Sequence, residues 1–277
     1  MQTSPGARRG ALPTTLPAVL TALLLSIAVA AFAAEPRLTA GAVTVTDGIT
    51  ETAVSYPSGT ATAHARLFLP PGNDPVPAVV FCPPEAAPGA AFDARCRDLA
   101  SEGYAVFVPP YGGNGSLFEV GPEEVARVLA GDAALRGHPR VLANQVAIIG
   151  SGHGSLTALL AVADSEPRRF RCVVHACGNR GAQDRAAAIK IPLLVQVGRK
   201  DAVADYQQAR FMAIDIRKAG NSSVTIKEYT MVGHDFWFWT DPEEFGVDRV
   251  NQAQWAWEDM TSFLDRHFDG TGGVNVR

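Results

Sequence analysis

From Ala78 to the carboxyl end, short unbroken apolar runs alternate with stretches of helical period, and no other feature constrains the fold as strongly. Ala78–Cys82, Tyr104–Val108, Gln145–Ile149, Cys172–His175, Pro192–Val197 and Ser223–Tyr229 read as strands. Between and after them Ala90–Ser101, Glu123–Leu135, Ser155–Ala163, Tyr206–Lys218 and Val250–His267 read as helices. Leu156, Leu159, Leu160 and Ala163 make one helical stripe, and Val250, Ala253, Trp257, Met260 and Leu264 another. Strands without polar alternation, joined by helices, belong in a parallel sheet covered on both faces. Ahead of them Ala42–Thr46, Thr50–Tyr56 and Ala61–Leu69 do alternate, separated by the turn formers Asp47-Gly48 and Pro57-Ser58-Gly59, as in an antiparallel meander. The expected fold class is therefore α/β: one mostly parallel, doubly wound sheet with an antiparallel N-terminal lead-in. The 277 residues, 47% of them apolar, suffice for one large core.

Residues 1–33 follow a different grammar. Arg8 and Arg9 precede the apolar stretch Ala18–Ala34, which ends in the small-residue run Ala31-Phe32-Ala33-Ala34. A charged start, a short greasy middle and an A-x-A end are the marks of a signal peptide. The stretch is 17 residues long, short of the roughly 20 that a spanning helix needs. We expect residues 1–33 to be removed on export, leaving a periplasmic or secreted domain at 34–277 with no stable membrane anchor. A formal charge of −4 without any basic block offers no footprint for nucleic acid. Export permits disulfides, yet four cysteines in a chain of this size are not a framework. Cys172 and Cys177 flank one strand, which would hold them roughly 16 Å apart at about 3.3 Å per residue, too far to bond. Cys96 falls on an apolar helix face and reads as a buried thiol.

In open α/β sheets ligands sit beyond the carboxyl ends of the strands, at the segments after Cys82, Ile149, His175, Val197 and Tyr229. After Ile149 the chain reads Gly150-Ser151-Gly152-His153-Gly154 and opens a helix. A strand, a glycine-rich turn and a helix form the context of a nucleophile elbow, whose small flanks let the central residue project its side chain from a strained backbone. The central residue here is Gly152. Further on, Arg199-Lys200-Asp201 puts a carboxylate just past a strand, and Gly233-His234-Asp235-Phe236 puts an imidazole past the last one.

In that order and spacing the chain resembles the dienelactone hydrolase family of α/β-hydrolases over roughly residues 60–268. Leu99-Ala100-Ser101-Glu102-Gly103-Tyr104, the Gly-His-x-Phe form at 233–236 and Phe263-Leu264-Asp265-Arg266-His267 add to the likeness. The resemblance implies an α/β-hydrolase fold and hydrolysis of a carboxylic ester or lactone, with Asp201 orienting His234. It places a cysteine or serine nucleophile where this chain has Gly152, and an oxyanion donor at the backbone N–H of His153. A second donor would follow the third strand, in Phe81-Cys82-Pro83-Pro84-Glu85-Ala86; the two prolines have no N–H, so Glu85 or Ala86 is expected, Ala86 first because a glutamate precedes that donor in the dienelactone enzymes. The dienelactone-specific members hold a substrate carboxylate with arginines, where this chain has Tyr111-Gly112-Gly113-Asn114 and Phe238. The expected substrate or ligand is therefore small and uncharged, and the aromatic run containing Phe236 and Phe238 favours an aromatic one.

Several readings stay open at this stage. A displaced nucleophile could lie at Ser151, Cys82 or Cys177. His234 with Asp201 could act as a general base without a covalent intermediate, or the protein could bind a ligand on a hydrolase fold without turning it over. A dinucleotide site at Gly150-x-Gly152-x-x-Ser155 is a remote alternative, because no acidic residue ends Cys172–His175 to hold a ribose. No cofactor is expected, and no histidine or cysteine spacing suggests a metal site.

Overall fold

The computed structural model of the chain describes residues 36–85, 88–110, 112 and 119–268. The expected signal peptide, residues 1–33, lies outside the described residues. Nine strands form one sheet in the order β1-β2-β3-β5-β4-β6-β7-β8-β9. The lead-in, β1 (Thr39–Thr46), β2 (Ile49–Ser58) and β3 (Ala61–Leu69), is antiparallel, and β3 joins β5 (Ala105–Val108) in antiparallel pairing. All the remaining pairs are parallel: β4 (Val76–Cys82) with β5 and with β6 (Val141–Ser151), then β7 (Val173–Ala176), β8 (Leu193–Gly198) and β9 (Val224–Tyr229). This is the α/β-hydrolase arrangement.

Side chains alternate across a strand, so each parallel strand feeds two cores. On one face Val80, Ile148 and Val195 meet helices α2 (Pro122–Arg136), α3 (His153–Asp164) and α4 (Tyr206–Lys218). On the other, Val79, Phe81, Ile149 and Val174 meet α1 (Ala90–Ser101) and α6 (Val247–His267). A four-residue helix, α5 (Pro242–Phe245), was not foreseen; Asp241 caps it by accepting from the Glu243 N–H at 2.8 Å.

β6 is longer than its apolar run because pairing at Val76 with Val141 carries the strand through the polar residues before Gln145. α3 begins at His153, two residues before the expected start, because the chain turns sharply at Gly152. Two buried polar side chains tie the segment after β9 to the body. Gln196 accepts from Trp237 Nε1 at 2.7 Å and donates to the Ala256 carbonyl at 2.7 Å. Arg95 donates to the Trp237 carbonyl at 2.7 Å and lies over the Trp257 ring. The loop that carries His234 is thus anchored to α1, β8 and α6.

Among the described residues, no helix is long and apolar enough to cross a membrane, and no group of three or more metal-ligating side chains converges. Cys82, Cys96, Cys172 and Cys177 are buried and free.

Candidate active site

The turn from β6 into α3 is tight enough to dictate its residues. A Cβ on Gly150 would stand 2.1 Å from the Gly154 carbonyl oxygen, and one on Gly154 would stand 2.2 Å from the Cys82 carbonyl oxygen. Neither position accepts a side chain without moving backbone. Gly152 itself has φ 54° and ψ −128°, a conformation that costs other residues on the order of 1–3 kcal/mol. Its N–H donates to the Ala176 carbonyl at 3.0 Å, and its own carbonyl accepts from Ser155 Oγ at 2.6 Å. Outward from it a Cβ would meet no backbone but would be closely bordered, 3.3 Å from Pro84 Cβ, 3.4 Å from Asp235 Oδ1 and 3.6 Å from His234 Nε2.

The structure brings Asp201 and His234 together from the turns after β8 and β9. Asp201 Oδ1 accepts the Val203 and Ala204 N–H groups at 2.9 and 2.7 Å, which fixes the carboxylate. Its Oδ2 accepts from His234 Nδ1 at 2.9 Å. The Asp201 side chain is 2% exposed and that of His234 17%, so one is sealed and the other reachable. The Asp201 bond leaves Nε2 pointing toward Gly152. Burial works against a charge on His234, but its hydrogen bond to Asp201 and the charges of Asp235 and Asp201 outweigh it and raise the imidazole above its ordinary 6.5.

Asp235 was missed as a site residue in the sequence, where it is only the variable residue of Gly-His-x-Phe. Its φ of 53° is left-handed, and its carboxylate turns back over the elbow. Oδ1 accepts from Ser151 Oγ at 3.1 Å, while Oδ2 lies 3.6 Å from His234 Nε2. Burial raises its pKa, with His234 and Ser151 opposing and Asp201 and Glu85 reinforcing the shift. The available signal was an acid next to the imidazole, which has no periodicity to reveal its direction.

The other sequence candidates divide. Ser151 is buried and committed to Asp235. Cys82 and Cys177 are buried, and desolvation pushes both thiols well up, away from reactive thiolates. His153 opens α3, so its N–H is the first of that helix, at the positive end of the dipole. Its imidazole points inward, with Nε2 2.7 Å from Glu124 Oε1. Glu85 is exposed near the elbow, and Ala86 lies outside the described residues. The aromatic run requires a correction. Phe236 packs fully buried on Tyr229, and Trp237 is buried between Phe81 and Trp257, so both serve the core and not a ligand. Only Phe238 and Trp239 stay partly exposed, against Phe92 and Phe245.

Residues 63–268 match the dienelactone hydrolase family. Among solved structures, a dienelactone hydrolase-like promiscuous phosphotriesterase from metagenomic libraries is 20% identical, with a TM-score of 0.65 over 80% of this chain and 99% of that one. An acylaminoacyl peptidase of Pyrococcus horikoshii is 17% identical, with a TM-score of 0.68 over 81% of this chain and 43% of that one. A cold-adapted esterase from an Arctic intertidal metagenomic library is 12% identical, with a TM-score of 0.61 over 83% of this chain and 98% of that one. No curated protein sequence matches significantly.

Proposed function

The chain belongs to the dienelactone hydrolase family, and on that premise we propose that it is an exported hydrolase of carboxylic esters or lactones in which water, not a side chain, attacks the substrate. Gly152 then stands at the nucleophile's position, and His234, oriented by Asp201, is the base. The observation that carries the reading is the 3.6 Å between the Gly152 Cβ point and His234 Nε2: the imidazole faces the place from which a nucleophile would act, and the side chain there is a hydrogen.

In this scheme His234 Nε2 takes a proton from water as its oxygen bonds to the carbonyl carbon. The oxyanion lies toward the His153 N–H, which is favoured by the helix dipole. The C–O bond to the alcohol breaks as the imidazolium returns the proton to the leaving oxygen, and Asp201 stays ionised throughout. The products are an acid and an alcohol. Phe238 and Trp239 follow His234 by four and five residues in the chain and are partly exposed, which supports a small, uncharged, aromatic substrate. The pattern of residues 1–33 supports export.

Hydrolysis of a short aryl ester by the wild type and by His234→Ala, beside labelling with serine- and thiol-directed probes, tests the proposal. We expect turnover that falls about 10²- to 10⁴-fold in the variant, with no label on the wild type. A trapped adduct on any side chain, or turnover indifferent to His234, overturns it. One observation favours a binding protein without turnover: the Asp235 carboxylate already stands 3.4 Å from the Gly152 Cβ point. In that case neither turnover nor labelling is seen.

A further inference from the structure

We propose that Asp235 is a catalytic residue, whose carboxylate holds the attacking water against His234 in the space a nucleophilic side chain would fill. The inference rests on the direct-water reading above and names the group that reading lacks, because an imidazole alone activates water without aiming it.

Four observations converge on the carboxylate. Oδ1 is 3.4 Å from the Gly152 Cβ point, so it borders the vacant side-chain position. Oδ2 is 3.6 Å from His234 Nε2, beyond a direct hydrogen bond, and close enough that one water beside the two atoms reaches both. Ser151 Oγ, itself buried, donates to Oδ1 at 3.1 Å and sets the plane of the group. Finally, Asp235 sits at the N-cap of the short 3-10 turn Phe236–Phe238 yet makes no capping bond. An aspartate there ordinarily accepts a backbone N–H of the following turn. Here the left-handed backbone, with the Asp235 carbonyl accepting the Phe238 N–H at 3.0 Å, directs the side chain to His234 instead. The side chain is still 37% exposed, so solvent reaches it.

The step balances without other reagents. Water bonds to the carbonyl carbon and gives its proton to His234 Nε2, while its second hydrogen remains directed at the Asp235 carboxylate. Breakdown of the adduct returns the His234 proton to the leaving alkoxide. Asp235 begins and ends ionised, and what it supplies is orientation of the reacting water. The charged groups facing the pair are Asp201 behind His234, and Glu85 and Asp201 toward Asp235.

The test uses Asp235→Asn, since asparagine tolerates the left-handed backbone, with initial rates on a short aryl ester measured across pH. The expected result is a fall in kcat of about 100-fold or more with KM changed far less. The midpoint of the kcat/KM profile should move to lower pH, because one of the two carboxylates that raise His234 is gone. Should Asn fail to fold, Asp235→Gly suits the φ and removes the carboxylate, with the same expectation. Turnover that needs His234 but is untouched in kcat and profile by Asp235→Asn overturns this inference alone. A loss of kcat with an unmoved midpoint marks a structural role and overturns it too. A wild type without turnover overturns both this inference and the reading beneath it.

Discussion

Among the described residues, two hydrogen-bonded histidine–carboxylate pairs lie on either side of one turn, and their contrast shows what makes such a pair reactive. His234 and Asp201 meet at 2.9 Å, and His153 and Glu124 at 2.7 Å. The chemistry of the pairs is alike, but their surroundings are not. His234 is 17% exposed, with Nε2 turned to Gly152 and Asp235, whereas the His153 and Glu124 side chains are 0% and 4% exposed. Glu124 also accepts from Thr157 Oγ1 at 2.7 Å. His153 and Thr157 are one helical turn apart on α3, so Glu124, from α2, clamps the start of α3 from behind. One pair aims a nitrogen at the site, and the other holds the elbow still. Access, not proximity, separates the roles.

The sharpest way to break this contrast is to remove one member of each pair. His234→Ala should lose about 10²- to 10⁴-fold in turnover and lower the melting temperature less than the buried-pair variant does, because the Asp201 carboxylate keeps the Val203 and Ala204 N–H groups. Glu124→Ala should do the reverse. It removes two buried hydrogen bonds, at roughly 1 kcal/mol each, and lowers the midpoint of urea unfolding while the remaining folded protein turns over. If Glu124→Ala unfolded normally but was inactive, the buried pair would belong to the chemistry and the distinction would fail.

A smaller effect is expected at the elbow between the pairs. Gly152→Cys should cost on the order of 1–3 kcal/mol, because φ is 54° there, yet place a thiol beside His234 Nε2. Iodoacetamide should label that cysteine faster than any of the four buried native thiols, as read by peptide mass spectrometry. Labelling no faster than Cys82 would show that the Gly152 position does not face the imidazole.

The gentlest probe is pH. Because His234 is raised above 6.5 in the fold, its basic form appears only above that raised value. The rate should therefore climb about tenfold per pH unit below the midpoint and level off above it. Stability runs the other way: a histidine raised on folding contributes fully below its unfolded pKa and loses that contribution as pH rises through the folded one. A rate that falls with rising pH from 6 to 8 would assign His234 the acid's part.

Much of this was legible in the chain itself. β3 at Ala61–Leu69, α1 at Ala90–Ser101 and α4 at Tyr206–Lys218 have the bounds their patterns indicate, because period, caps and turn formers are local properties. So is the demand for glycine at 150 and 154, set by how closely an elbow packs on its neighbours. Asp201 and His234 were found because each follows a strand end, where an α/β sheet presents its side chains.

What tertiary structure alone decided is direction. Glu124 in the first turn of a helix reads as a solvated, dipole-favoured acid; only the packing of α2 on α3 buries it against His153, 29 positions away. Phe236 and Phe238 look equivalent in the sequence, and the core claimed the first and left the second at the surface. Asp235 turns toward His234 because of a left-handed backbone held by Ser151 and Phe238. A sequence pattern encodes which residues are apolar and how often they recur. The way one side chain faces across a turn depends on contacts among segments distant in the chain, and these exist only once the sheet has assembled.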